Sequence, residues 1–210
     1  MSNRKLNRIA KRGREFQPFL VMEVLERAQE MERQGKSVIH LEVGEPDFNT
    51  PEVINAAADR AIRDGHTHYT HSLGRVELRE AIAEWHRDQY GTRINPDHIL
   101  VSPGSSSAMT VLFASLLDYG DQVLLTDPGY SCYAQFIRCF GGIPVPVNVY
   151  EENQFQYPAE VVREYLACNR GKVKALMINS PSNPTGVVAS PASIKDRKST
   201  RLNSSHVSQS

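Results

Sequence analysis

The chain predicts an α/β fold, a mostly parallel sheet with helices on both faces. Three observations point to it. Short apolar segments at 99–101, 123–125, 143–149 and 174–179 alternate with segments whose apolar residues recur at helical spacing. That alternation implies right-handed crossovers and parallel strands. Gly- and Pro-containing turns then follow the apolar segments, as in Asp127-Pro128-Gly129 and Ser180-Pro181-Ser182-Asn183-Pro184-Thr185-Gly186. The carboxyl ends of such strands are where open α/β sheets bind ligands.

Taken in order, Val21, Val24, Leu25, Ala28 and Met31 mark a first helix, with Gly35 as its stop. Residues 38–43 read as a strand that ends in the turn Gly44-Glu45-Pro46-Asp47. Thr50-Pro51-Glu52 opens a second helix as cap, first-turn proline and acid, and Gly65 closes it. A third helix carries Leu78, Ile82 and Trp85 on one face and ends near Gly91. Residues 99–101 form the next strand, and Met109, Leu112, Phe113 and Leu116 the helix after it. A strand at 123–125, a helix over 131–140 and a strand at 143–149 follow. Prolines in the last place it at a sheet edge. Val161, Val162 and Leu166 mark a helix before the strand at 174–179.

The bulk numbers exclude several classes. Formal net charge is zero over 210 residues, which argues against a nucleic-acid partner. No apolar run is long enough to span a bilayer, so no membrane partner is expected. Arg4, Lys5, Arg8, Lys11, Arg12 and Arg14 lead into no apolar core, so the start is no secretory signal. It reads as a solvated arm, with a transit peptide or nucleic-acid arm as lesser alternatives. The three cysteines lack CxxC spacing, which suits reduced thiols and a cytoplasmic location. His66, His68 and His71 have no spaced partner ligand and read as loop histidines, with no metal expected.

Three segments carry candidate chemistry. Ser102-Pro103-Gly104-Ser105-Ser106-Ser107 joins a strand to a helix start, where Gly104 admits a ligand to the backbone and the unpaired N–H groups favour an anion. Alone, it reads better as a serine-rich helix cap. Tyr130 follows a tight turn and can stack on a flat heterocycle, or serve as a core tyrosine. Asn183 is the polar group on a strand exit made rigid by two prolines and a glycine; the plain alternative is an ordinary turn. The GxGxxG and GxxxxGK[ST] signatures of nucleotide-binding modules are missing.

These residues fall in a series: Gly44-Glu45-Pro46-Asp47-Phe48, Tyr69 with Gly74 and Leu78-Arg79, Pro103-Gly104-Ser105-Ser106, Pro128-Gly129-Tyr130 and Asn183-Pro184-Thr185-Gly186. The series resembles the class I/II aminotransferases, pyridoxal-phosphate enzymes of fold type I, over roughly residues 16–195. The resemblance implies roles residue by residue. Gly104, Ser105 and Ser106 match the loop that holds the cofactor phosphate, Tyr130 the aromatic on its ring, and Asn183 the amide on its phenolic oxygen. Tyr69 matches a tyrosine reaching the phosphate of a neighbouring subunit, which implies a homodimer. Gly44 matches the glycine of the loop over the substrate carboxylate. Asp127-Pro128 and Asn183-Pro184 match positions where the family often has cis peptides. The implied substrates are an amino acid and a 2-oxo acid.

The same resemblance assigns residues 1–37, an arm and a helix, to a small domain and residues 38–195 to the N-terminal portion of a large cofactor domain. Residues 196–210 are almost without apolar side chains and read as a disordered tail, with appended non-native sequence as an alternative. The chemistry also needs a Schiff-base lysine, an acid for the pyridine nitrogen and an arginine for the substrate carboxylate. In the family these follow the Asn-Pro-Thr-Gly run, the acid within an Asp-x-x-Tyr segment, and this chain ends before all three. Lys195 and Lys198 come too soon and have no strand or small-residue turn around them. No catalytic residue is therefore assigned. The expectation is an incomplete fold, inactive by itself and prone to aggregate. Alternatives are a lyase or synthase on the same scaffold, a non-catalytic binding remnant, and more distantly a nucleotide-binding module or a DNA-binding regulator.

Overall fold

The computed structural model describes residues 10–14, 20–191 and 194, in two compact units. The boundary falls between Ser102 and Pro103. The expected tail at 196–210 and most of the basic arm lie outside the described residues.

The unit from Pro103 onward holds three strands, β1 (Gln122–Asp127), β2 (Ile143–Asn148) and β3 (Val173–Leu176). Their order is β2-β1-β3 and both pairings are parallel. In register, Gln122 faces Ile143 and Asp127 faces Asn148, while Val123 pairs with Ala175 and Leu124 with Leu176. β1 is central because both its faces are apolar: Val123 and Leu124 are fully buried and Leu125 nearly so. β2 takes the edge that its prolines predict. Ile143 and Val149 donate N–H bonds to Asp121 and Asp127. With a two-residue period, Pro144 and Pro146, which have no N–H, therefore face away from β1.

Helices cover both faces, as expected. Helices Ser105–Leu116 and Cys132–Cys139 put Met109, Phe113, Tyr133 and Ile137 against Val123 and Leu125. On the other face, Val162 of helix Ala159–Cys168 packs with Leu124, Val147 and Tyr157. Side chains alternate along a strand, so consecutive residues of β1 feed the two cores in turn.

The unit Pro18–Ser102 holds helices Leu20–Arg33, Glu52–Arg63 and Val76–Tyr90, the last closed by Gly91 in the left-handed region at φ 65°. Arg79 is buried and holds the turn Pro96–His98 to its helix. It donates to the carbonyls of Pro96 (2.9 Å) and Gly74 (3.3 Å) and to Asp97 (3.1 Å).

Three local expectations need correction. Residues 38–43 form no strand, and Ile39 and Leu41 are 85% and 89% exposed. Residues 99–101 are not laddered either; Val101 donates one bond to the carbonyl of Leu73. Both segments have strand composition, but a strand needs a neighbour, and no sheet lies among the described residues of this unit. The second helix begins one residue later than expected, with Pro51 at the cap position and no side-chain capping bond from Thr50.

Among the described residues, no helix is long and apolar enough to cross a membrane. No group of three His, Cys, Asp or Glu there could hold a metal.

Candidate cofactor site

β1 leaves the sheet through Asp127-Pro128, a cis peptide, into Gly129. A Cβ at Gly129 would lie 2.4 Å from the carbonyl oxygen of Thr126, so only glycine fits this turn. The turn delivers Tyr130, whose carbonyl accepts the N–H of Tyr133 at the start of the next helix (3.1 Å). The two rings meet edge to face, with centroids 5.2 Å apart and planes at 78°. Tyr130 is half-buried against the core of that face. A hydrogen bond with Cys132 comes first in pushing its phenol up to about 12; burial and the charges of Cys132 and Tyr133 follow. The hydroxyl therefore stays protonated near neutral pH.

β3 leaves the sheet beside it. The N–H of Met177 makes a last bond to Leu124 (2.9 Å), and the chain then enters the run from Asn179 to Gly186. Ser180-Pro181 and Asn183-Pro184 are both cis. The side-chain amide of Asn179, oriented to satisfy both its ends, donates to the carbonyl of Pro181 (3.2 Å) and accepts the N–H of Asn183 (2.9 Å). Ser182 donates to Val187 (3.0 Å), and Gly186 returns a bond to Ser182 (2.6 Å). The run is thus a closed loop with Asn183 exposed on it.

The two exits share a cavity of about 240 Å³, whose lining includes Asp127, Tyr130, Met177, Asn179 and Asn183. An aromatic ring and two amides therefore meet at the carboxyl edge of the sheet, as the sequence predicts for Tyr130 and Asn183. The cis peptides expected at Asp127-Pro128 and Asn183-Pro184 are present. Asn179, Asp127 as a lining residue and the third cis peptide at Ser180-Pro181 are additional. The available signal for Asn179 was its place, the first polar residue after the apolar run 175–178.

Gly104, Ser105 and Ser106 are in the same unit but do not line that cavity. Gly104 caps helix Ser105–Leu116 at φ 85°, ψ 167°, a conformation suited to glycine, and nothing lies within 4 Å of where its Cβ would be. No side chain caps the helix start. The first N–H groups of a helix carry the positive end of its dipole, which favours an anion. Ser107 bonds back to the carbonyl of Pro103 (3.3 Å), while Ser105 is half-buried and Ser106 exposed. Tyr69 and Gly44 belong to the other unit, and both are exposed.

The family model for aminotransferase class I and II matches residues 36–199. The chain is 44% identical over 180 residues to the (5-formylfuran-3-yl)methyl phosphate transaminase of Methanocaldococcus jannaschii, covering 86% of this chain and 46% of that protein. It is 40% identical over 187 residues to a probable aspartate/prephenate aminotransferase of Aquifex aeolicus, covering 89% and 47%. Its fold is similar to the aspartate aminotransferase of Thermus thermophilus solved with maleate, with a TM-score of 0.84 and 36% identity over 90% of this chain and 48% of that one. The alanine aminotransferase of Pyrococcus furiosus gives a TM-score of 0.83 at 32% identity. The chain spans about half the length of the relatives it matches. It belongs to the class I and II aminotransferases.

Proposed function

We propose that this chain supplies the cofactor-holding wall of a pyridoxal-phosphate-dependent transaminase that moves an amino group between an amino acid and a 2-oxo acid. The observation that carries this reading is the meeting of Tyr130 and Asn183 in one cavity at the strand exits of β1 and β3. The residues fit the group. A half-buried phenol that stays neutral suits a flat heterocycle, an amide suits its phenolic oxygen, and the helix start at Gly104 suits a phosphate. When bound, pyridoxal phosphate supplies the carbonyl and the electron sink of the reaction. Tyr130 would lie against its ring, and Asn183 would donate to its phenolic oxygen. Ser105 and Ser106 with the neighbouring N–H groups would hold its phosphate.

Tyr69 is assigned to the phosphate of a neighbouring subunit in a homodimer, and Gly44 to the loop over the substrate carboxylate. Both are exposed, which leaves them open to such contacts. Residues 1–37 are assigned to the small domain and 38–195 to the large one. The 210-residue polypeptide alone is assigned no turnover. Among the described residues no lysine lines the cavity, and Lys174 is engaged with Asp121 at 3.5 Å on the first residues of β3.

The experiment is a titration of the chain with pyridoxal phosphate followed by cofactor absorbance. The reading requires saturable binding that weakens roughly tenfold in Asn183→Ala and in Tyr130→Ala, about 1.4 kcal/mol each. Tyr130→Phe, which keeps the ring, should bind nearly as the parent does. Equal affinity in all four proteins would remove both residues from the site.

A further inference from the structure

The loop that carries Asn179 and Asn183 is rigid within itself, yet little of the backbone ladder reaches it. β3 ends at Leu176, and the N–H of Met177 makes the last bond to β1. Bonds inside the loop fix its shape: Ser182 to Val187, Gly186 to Ser182, and the N–H of Ala189 to the hydroxyl of Ser180 at 2.9 Å. None of these ties it to the sheet. Two adjacent side chains from outside the loop do. The Tyr157 hydroxyl is directed at the carbonyls of Met177 (2.8 Å) and Leu124 (3.2 Å), so it bridges β1 and the outgoing limb. The Gln156 amide donates a long bond to the carbonyl of Val188 on the returning limb (3.4 Å).

The local backbone aims both residues. Gln154 and Phe155 are non-glycine residues with φ of 55° and 51°, in the left-handed region. Both conformations are disfavoured for residues with a side chain and persist only because the surroundings hold them there. Phe155 donates to the carbonyl of Tyr150 (2.8 Å), and this corner turns the chain just ahead of the pair. Tyr157 is only 5% exposed, so its hydroxyl is largely withdrawn from solvent where it meets these carbonyls.

We propose that Gln156 and Tyr157 are positioning residues, a clasp on both limbs that sets where Asn179 and Asn183 stand at the cavity. The proposal rests on the reading of Asn183 as a cofactor contact. Neither residue touches the cavity; they act through Met177 and Val188.

Hydrogen exchange of the 210-residue chain, read by mass spectrometry, tests this. In Tyr157→Phe, peptides spanning 178–190 should exchange several-fold faster, while peptides of β1 and of helix Ser105–Leu116 stay unchanged. Replacing Tyr157 with 4-aminophenylalanine, whose N–H can donate to the same carbonyls, should restore the protection. Unchanged exchange in the loop overturns the clasp, as does equal acceleration through β1, which would mark an ordinary core residue. Should Tyr157→Phe fail to fold, Gln156→Ala reads the returning limb against the same two outcomes. Titration with pyridoxal phosphate separates this from the reading beneath it. A faster loop with weaker cofactor binding upholds both. A faster loop in a protein that never binds cofactor upholds the clasp and removes the cofactor reading. A faster loop with unchanged affinity overturns the positioning role.

Discussion

Tyr130 ties ionisation to folding through Cys132. Its phenol rises from an ordinary 10.0 to about 12 in the folded chain, first because of the hydrogen bond with Cys132. A raised pKa means the folded state holds the proton more tightly than the unfolded state. The stabilisation is therefore complete below about pH 10 and disappears as pH rises from there through 12. Absorbance near 295 nm should show a late-ionising component that moves back toward the ordinary tyrosine range in Cys132→Ala. A phenol that titrates at 10 in both proteins would contradict the geometry. At this scale the sequence was informative where chemistry is tied to chain order. Tyr130 and Asn183 follow strand exits, and the structure puts both in one cavity. Asn179 was less legible, because its part depends on a cross-loop bond to Asn183 that spacing alone does not reveal.

The central strand makes the clearest prediction among the elements. Leu124 is fully buried and packs with Val147, Tyr157 and Val162, so Leu124→Ala should cost about 3 kcal/mol in chemical denaturation. A loss under 1 kcal/mol would mean that this face is not a packed core. Arg79 makes a different case, because Asp97 is largely exposed and keeps its own hydration. The loss in Arg79→Met comes mainly from the carbonyls of Gly74 and Pro96, which lose a charged donor, so about 2 kcal/mol is expected. Thermal melts of the variant and parent decide it; equal midpoints would show the contacts to be idle. Helices were legible because a helix satisfies its backbone within itself, so local spacing is enough. Strand composition at 38–43 and 99–101 was legible too, but a ladder also needs a partner, and composition carries no information about whether one is present.

Over the whole chain, the described residues leave much apolar surface without cover. In Pro18–Ser102, Ala28 and Arg79 are the buried side chains among the described residues, while Ile39, Leu41, Phe48, Val53 and Ile62 are more than half exposed. In the other unit, β3 has a neighbour on one side only among the described residues. Exposed apolar patches and open strand edges favour association. Light scattering after gel filtration should therefore give a mass that grows with protein concentration. A monomer at all concentrations would show these surfaces to be harmless. The central claim is the proposed one, that Tyr130 and Asn183 form a wall that holds pyridoxal phosphate in a cavity with no lysine among its described lining residues. Borohydride treatment of the chain with the cofactor, followed by peptide mass spectrometry and an assay with an amino acid and a 2-oxo acid, tests it most directly. The account predicts saturable binding that Asn183→Ala weakens, no stoichiometric pyridoxyl label on any one lysine, and no turnover. A single lysine labelled in stoichiometric yield, with amino transfer, would contradict it.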